Sequence, residues 1–220
     1  MTSTRLPGKV LADVAGEPML ALLLRRLSLA RCVGAIVVAT SEDPADATIA
    51  ELALELGFGV HRGSLQDVLG RMAGAAAGHE GPVVRITADC PLTDAQTVDD
   101  VVGLLQAHPG AAYASNIEPR TYPDGLDVEV LPASVLRELD ATVADPHERE
   151  HVTLHLRRRP QRWPPLSLPC EVPGIADLRW TVDTQEDLDF VRALVSRLGD
   201  ARHSAGLGEM LTAARWRGAT

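Results

Sequence analysis

Short runs of apolar residues alternate along this chain with longer segments of helical periodicity, and this alternation constrains the fold more than any other feature. The runs GAIVVAT at 34–40 and PVVRITA at 82–88 are almost continuously apolar, as in strands that are buried on both faces. A helical segment follows each run. Strands separated by helices predict βαβ units, so we expect an α/β protein, a three-layer sandwich with a mixed, mostly parallel sheet.

The same periodicities divide the rest of the chain into elements. Helices are expected at 18–30, 44–56, 65–77, 94–107, 133–139, 148–158, 184–198 and 207–214, and further strands at 59–62, 111–115, 126–131, 166–172 and 178–182. The strand at 126–131, LDVEVL, alternates in polarity, which predicts that one of its faces lies in water. We expect one domain over residues 1–220, with an antiparallel excursion or lid at about 113–172.

Composition excludes several classes of protein. The chain has 220 residues, 45% of them hydrophobic, and 21 Lys and Arg against 30 Asp and Glu give a net charge of −9. Such an acidic chain is not expected to bind nucleic acid, although a local basic site for one nucleotide remains open. No apolar run approaches the ~20 residues of a membrane span. The first ten residues lack the apolar segment of a secretion signal, so we expect a cytoplasmic protein.

Two carboxylates come directly after predicted strands. Asp89 follows PVVRITA, and Asp183 follows the strand at 178–182 and precedes a helix. Because the carboxyl ends of parallel strands meet at one edge of a sheet, the two aspartates can share one hard divalent cation such as Mg²⁺. The alternative is that each aspartate only caps a helix, but Asp94 and Thr184 are better placed to do so.

Two loops combine glycine with small or charged residues. STRLPGK at 3–9 offers backbone amides, Arg5 and Lys9 to a triphosphate, although it lacks the P-loop pattern, and it can equally be a solvated tail. In RGSLQDVLGR at 62–71, glycine and serine follow a strand, so their backbone can approach a ligand. Asp67 and Arg71 of this segment can instead form an ion pair across one helical turn.

Two further segments concentrate charge. RTYPDGLDVEV at 120–130 gathers acidic residues around a turn. PHEREHVT at 146–153 places His147 and His151 four residues apart, a spacing that suits a metal on one helix face, but a solvated helix start explains it as well.

Together these segments resemble the cytidylyltransferases that activate sugars, in particular the family of spore-coat polysaccharide biosynthesis protein F. This family is related to the acylneuraminate and 3-deoxy-manno-octulosonate cytidylyltransferases. The matching segments follow one another in order along nearly the whole chain: STRLPGKVL at 3–11, VVATSED at 37–43, RGSLQDVLGR at 62–71, VRITADCPLTD at 84–94, SN at 115–116, RTYPDGLDVEV at 120–130, EREHVT at 148–153 and WTVDTQEDLDFV at 180–191.

The resemblance implies a nucleotide-diphospho-sugar transferase fold of Rossmann-like type and a set of functional residues. By this resemblance Asp89 and Asp183 hold Mg²⁺, and Ser3, Arg5 and Lys9 grip the triphosphate of CTP. Three more residues match the loops near the nucleotide: Ser41, Ser64 and Asp67. The implied reaction is attack of a sugar hydroxyl on the α-phosphate of CTP with release of pyrophosphate, and Asp127 or His151 is a candidate base.

Three points stay open in this interpretation. A uridylyl- or thymidylyltransferase, or a relative that binds nucleotide without turnover, would show similar motifs. The sequence does not identify the sugar substrate. It also leaves undecided whether the excursion forms the interface of a homodimer. The family's first, central strand ahead of the STRLPGK segment has no counterpart here, so we expect unpaired ladder groups in the middle of the sheet.

Overall fold

The computed structural model describes residues 5–215 and has the expected α/β architecture with mixed sheets. The helices are α1 Met19–Leu27, α2 Ala47–Glu55, α3 Val68–Ala75, α4 Ala95–Gln106, α5 Ala133–Thr142, α6 Pro146–Glu150, α7 Leu154–Arg157, α8 Gln185–Leu198 and α9 Leu207–Arg215. The strands are β1 Asp13–Val14, β2 Glu17–Pro18, β3 Val37–Ser41, β4 Gly59–Gly63, β5 Pro82–Arg85, β6 Ala114–Ser115, β7 Glu129–Pro132 and β8 Leu166–Ser167.

The central β-structure is divided into two sheets. Strands β3 and β4 pair in parallel, and a four-stranded sheet has the order β5-β7-β6-β8. In that sheet β7 is antiparallel to both neighbours, whereas β6 and β8 are parallel. Within residues 5–215, no strand pairs with the second edge of β3 or of β5. Among the described residues the β-structure is thus divided between β3 and β5, and these two strands are only partly buried.

Helix α1 contributes leucines to apolar clusters that include strands of both sheets. Leu20 and Leu24 belong to a cluster with Val38 of β3. Leu23 belongs to another cluster with Val84 of β5. The leucine-rich sequence of α1 therefore supplies apolar contacts to the two sheets at once, which burial of apolar surface stabilises.

The expectation of a solvated face on the strand at 126–131 is wrong. Leu126, Val128 and Leu131 are fully buried, and Glu129 is only 4% exposed. Glu129 tolerates burial because Arg85, the hydroxyl of Tyr113 and the hydroxyl of Thr153 all donate to its carboxylate. The alternating polarity of residues 126–131 therefore reflects a buried charged residue, Glu129, whose carboxylate is paired inside the protein, and not a face in water.

Two other predicted elements differ from the structure. The helix expected at 148–158 is divided into α6 and α7, because buried Val152 adopts a left-handed backbone conformation with φ of 51°. The strand expected at 178–182 is reduced to a single parallel bridge between Arg179 and Asp124. In the described part of the chain, no helix is both long and apolar enough to cross a membrane.

Candidate active site

The two predicted aspartates converge on the ammonium group of Lys9. Lys9 Nζ donates to Asp89 Oδ2 at 3.1 Å and to Asp183 Oδ1 at 3.0 Å. Its third hydrogen bond goes to the carbonyl of Val182 at 2.7 Å. The sequence placed these groups on three separate segments, and the fold brings them to one point.

Backbone contacts fix the two aspartates relative to one another. The amide of Val182 donates to the carbonyl of Asp89 at 2.9 Å, which ties the segment after β5 to the segment before α8. Gly125 lets the segment before Asp183 approach closely, since a Cβ atom there would lie 2.5 Å from the backbone of Trp180 and Thr181. Its φ of 108° also favours glycine. Both contacts place Asp183 against the end of the sheet.

The start of helix α8 orients Asp183 from the other side. Thr184 caps this helix, and Asp187 completes a capping box by accepting from the amides of Asp183 and Thr184 at 3.0 and 2.9 Å. Arg179 then bridges Asp187 at 2.7 Å and Asp183 Oδ2 at 2.6 Å. Asp183 is therefore not the helix cap. Its Oδ1 faces Lys9 and its Oδ2 faces arginine.

A chain of alternating charges extends from this point towards Asp127. Arg120 donates to both oxygens of Asp127, at 2.7 and 2.9 Å, and lies 3.7 Å from Asp124. Asp124 in turn lies 3.7 Å from Arg179. Burial raises the pKa of Asp124, and the nearby carboxylates Asp127 and Asp183 raise it further, against the lowering effect of the two arginines.

The contacts of Asp89 keep it ionised and leave its neighbour Cys90 unreactive. Burial alone would raise the pKa of Asp89, but a hydrogen bond from Thr87 and the charge of Lys9 bring it below its usual value. Burial, reinforced by the charge of Asp89, raises the pKa of the Cys90 thiol far above its ordinary range. Cys90 is therefore a neutral, buried thiol and a poor nucleophile.

Buried Arg26 supports the loop that follows Asp89. Its guanidinium donates to the carbonyls of Leu92 and Thr93 at 3.0 and 3.2 Å, and to those of Arg202 and Ala205 at 2.5 and 2.8 Å. Burial lowers the pKa of Arg26 to about 10, with Asp94 opposing that effect. One buried cation thus joins the loop after β5 to the C-terminal segment.

Of the other predicted nucleotide contacts in the described residues, Arg5 reaches the Lys9 cluster, whereas Ser41 and Ser64 make contacts elsewhere. Arg5 reaches the cluster, with Nη2 3.1 Å from Asp183 Oδ2, and its side chain is 64% exposed. Ser41 is buried at the end of β3, where its hydroxyl donates to Asp46. Ser64 is exposed, and its carbonyl accepts from Arg71. Ser3 lies outside the described residues.

The contacts of Asp67 are those of a residue that supports the fold. It caps helix α3 through the amide of Gly70, and Arg149 donates to both of its oxygens. The hydrogen bond from Arg149 lowers the pKa of Asp67. Arg149 also donates to Asp140 at 2.6 Å, so this pair joins α3, α5 and α6.

His151 lies on the exposed face of the segment after α6. Its ring contacts that of His147, with centroids 4.5 Å apart, and the pair forms an exposed group with Glu150 whose donor atoms all lie within 4.8 Å. Among the side-chain contacts of residues 5–215, none joins this group to Lys9, Asp89 or Asp183. Of the two predicted bases, Asp127 is the one connected to the aspartate pair.

Sequence reasoning missed one member of the site, Arg179, and it singled out Asp124 only within the charged turn at 120–130, with no role of its own. Arg179 stands inside the apolar segment LRWTV, where a charged residue is easily taken for a solvated one. The available signal was the alternation of this segment, in which Arg179, Thr181 and Asp183 share one side and buried Trp180 and Val182 the other.

Comparison with known proteins shows the family of this chain. The cytidylyltransferase family profile matches residues 1–199. The spore coat polysaccharide biosynthesis protein SpsF of Bacillus subtilis is 30% identical over 96% of this chain and 89% of that protein. A 3-deoxy-manno-octulosonate cytidylyltransferase of Geobacter sulfurreducens is 36% identical over 49% of this chain and 42% of that protein.

A solved structure extends the likeness to three dimensions. The structure of a cytidylyltransferase from Leptospira borgpetersenii superposes with a TM-score of 0.92 at 29% identity, covering 98% of this chain and 90% of that one. The nucleotide-sugar transferase fold expected from the sequence is thereby confirmed. The protein belongs to the cytidylyltransferase family.

Proposed function

We propose that this protein transfers CMP from CTP to the hydroxyl group of a sugar, with a sugar acid as the preferred class, and releases pyrophosphate. The observation that carries the proposal is the convergence of Asp89 and Asp183 on one cationic group, Lys9. Two relatives support a role in the synthesis of surface polysaccharide. One is named as a spore coat polysaccharide biosynthesis protein, and the other as a 3-deoxy-manno-octulosonate cytidylyltransferase.

The donor set at this point fits Mg²⁺. Asp89 Oδ2 and Asp183 Oδ1 already face one positive charge, and paired carboxylates with substrate phosphates are the ligands that Mg²⁺ favours in proteins. We propose that these two aspartates hold the ion. When bound, Mg²⁺ neutralises phosphate oxygens and helps to orient them for in-line displacement.

The cationic side chains around the aspartate pair would bind the triphosphate and neutralise its charge. Arg5, Lys9 and Arg179 all contact Asp183, and their charge offsets the charge of a leaving pyrophosphate. Catalysis of this kind depends on position and electrostatics more than on covalent chemistry. The neutral thiol of Cys90 agrees with a direct transfer that uses no enzyme nucleophile.

Asp127 is the better candidate for the group that accepts the proton of the sugar hydroxyl. It is connected to Asp183 through Arg120, Asp124 and Arg179, whereas His151 belongs to an exposed group. Each oxygen of Asp127 accepts one hydrogen bond from Arg120, which orients the carboxylate, and each keeps a second lone pair that can take up a proton.

The proposal is tested by pyrophosphate release from CTP and Mg²⁺ with a panel of sugar acids and sugar phosphates. We expect release with one class of acceptor, and at least about a hundredfold less with Asp89→Asn or Asp183→Asn. Asp189→Asn is the matched control, because Asp189 is an exposed carboxylate on α8 that contacts Arg192. Release from UTP or dTTP but not CTP would replace the proposed nucleotide, and nucleotide binding without release would favour a non-catalytic protein.

A further inference from the structure

The ammonium group of Lys9 is fully satisfied by the groups it contacts. An ammonium has three N–H donors, and here each has an acceptor: Asp89 Oδ2, Asp183 Oδ1 and the carbonyl of Val182. The side chain is only 12% exposed. A flexible lysine side chain loses rotamer freedom when it is held in this way, and the contacts with two carboxylates and one carbonyl offset that loss.

The two carboxylates that Lys9 contacts are also the ones proposed to hold the metal. Mg²⁺ binds oxygen at about 2.0–2.1 Å and requires near-octahedral geometry. Lys9 Nζ lies 3.1 Å from Asp89 Oδ2 and 3.0 Å from Asp183 Oδ1, so a metal held by these two oxygens would lie close to the ammonium. Two cations at that separation would repel strongly in a partly buried site. The ammonium of Lys9 and a metal bound to these same two oxygens would therefore exclude one another.

The side chain of Lys9 can leave without disturbing its backbone. The residue opens a short 3-10 turn, Lys9–Leu11, which is held by hydrogen bonds from its amide to the carbonyl of Leu6 and from Leu11 to Gly8. None of these bonds involves the ammonium. The cationic neighbours of Asp183 bind its other oxygen, Oδ2, so they can stay in place when Oδ1 is released.

We propose that Lys9 is the resident counter-ion of the aspartate pair, and that the metal entering with the nucleotide displaces it onto the phosphates. This inference rests on the proposed function. In the nucleotide-free protein the ammonium suppresses the repulsion between Asp89 and Asp183. When metal and triphosphate arrive together, the anionic phosphates offer the displaced ammonium new acceptors. Metal and nucleotide binding are thereby coupled through one side chain.

The coupling predicts opposite effects of one substitution on two ligands. Lys9→Met removes the competitor, so the affinity for Mn²⁺ alone, followed by the electron paramagnetic resonance signal of the free ion, should rise by roughly tenfold. The affinity for CTP in the presence of Mg²⁺ should fall by a similar factor. Lys9→Gln, a neutral polar variant, should behave in the same direction if Lys9→Met folds poorly.

Two control variants make the test specific. Arg5→Met removes an exposed cation from the other oxygen of Asp183, and it should change the affinity for Mn²⁺ alone by less than about threefold. Asp89→Asn should abolish the part of the Mn²⁺ binding that Lys9→Met strengthens, which assigns that binding to this pair.

The outcomes separate the two proposals. Unchanged or weaker binding of Mn²⁺ alone in both Lys9 variants would overturn the displacement by metal. A wild-type protein that binds Mn²⁺ but shows no affinity for CTP would overturn the proposed function. The role of Lys9 as the counter-ion would then be decided by the metal titration alone.

Discussion

The guanidinium of Arg149 donates to both carboxylate oxygens of Asp67, at 2.9 and 2.8 Å, and so joins helix α6 to the start of helix α3. If this pair supports the fold, Asp67→Asn and Arg149→Met should each lower the free energy of unfolding by about 1–3 kcal/mol. The double variant should be little worse than either single variant, which chemical denaturation can measure.

The same variants decide whether Asp67 also contacts nucleotide, as its sequence motif predicts. We expect the KM for CTP to change equally in Asp67→Asn and Arg149→Met, because both variants remove the same ion pair between α3 and α6. A rise in KM confined to Asp67→Asn would show that this carboxylate contacts the nucleotide as well.

Gly125 should be intolerant of any side chain. Its φ is 108°, and a Cβ atom would lie 2.5 Å from the backbone of Trp180 and Thr181. We expect Gly125→Ala to cost about 2–4 kcal/mol and to lower kcat, because the segment leading to Asp183 must move. Thermal denaturation and initial rates measure both effects.

Gly110 provides the matched control for this substitution. Its φ is 93°, yet nothing lies within 4 Å of its Cβ position. Gly110→Ala should therefore cost only the left-handed backbone penalty of about 1–2 kcal/mol and leave kcat unchanged. Equal effects of the two substitutions would contradict the close contact between Gly125 and the Asp183 segment.

Asp187 should make stability dependent on pH in the acid range. Burial opposes its ionisation, but Arg179 and the amides of Asp183 and Thr184 lower its pKa from 3.8 to about 2. A carboxyl whose pKa is lower in the folded state stabilises the protein above pH 3.8, and this contribution is lost as the pH falls towards 2. It amounts to about 2 kcal/mol.

The variant Asp187→Asn should consequently be less stable than the wild type at pH 7, and the difference should shrink between pH 4 and pH 2. Urea denaturation at a series of pH values measures this. Asp189→Asn on the same helix is the control, because its side chain is 61% exposed and should show a small, pH-independent effect. A constant difference for Asp187→Asn would refute this assignment.

The interruption of the sheet predicts uneven hydrogen exchange. Strand β7 is paired on both sides, whereas within the described chain β3 pairs only with β4 and β5 only with β7. Amides on the unpaired edges of β3 and β5 should exchange at least about tenfold faster than those of β7. Mass spectrometry of exchanged peptides measures this, and uniform protection across the three strands would argue against open edges.

The sequence predicted those features of the site that depend on neighbouring residues, and not those that depend on contacts between residues far apart in the chain. Asp89 and Asp183 could be found because each directly follows an apolar segment, and that placement is local. The convergence of Lys9 on both joins residues 80 and 174 positions apart, which no local pattern encodes. Arg179 was missed because a single charged residue in an apolar segment is easily taken for a solvated one, and its contacts with Asp183 and Asp187 exist only in the folded chain.

The fold was predictable to a similar degree. Continuous apolar runs located β3 and β5, and the caps Asp94 and Thr184 located α4 and α8. The break at Val152 was not predictable from helix propensity, since a buried β-branched residue with φ of 51° is held there by tertiary packing. Burial of Glu129 likewise depended on donors from three distant segments.

The central claim is that the α-phosphate of CTP passes to a sugar at the Asp89–Asp183 pair. It is tested most directly by labelling CTP with ³²P at either the α or the γ position and separating the products formed with an accepted sugar. We predict that α label appears in the sugar product and γ label in pyrophosphate, and that both transfers are lost in Asp183→Asn. Label from the γ position in the sugar product, or α label remaining in free CMP, would contradict the account.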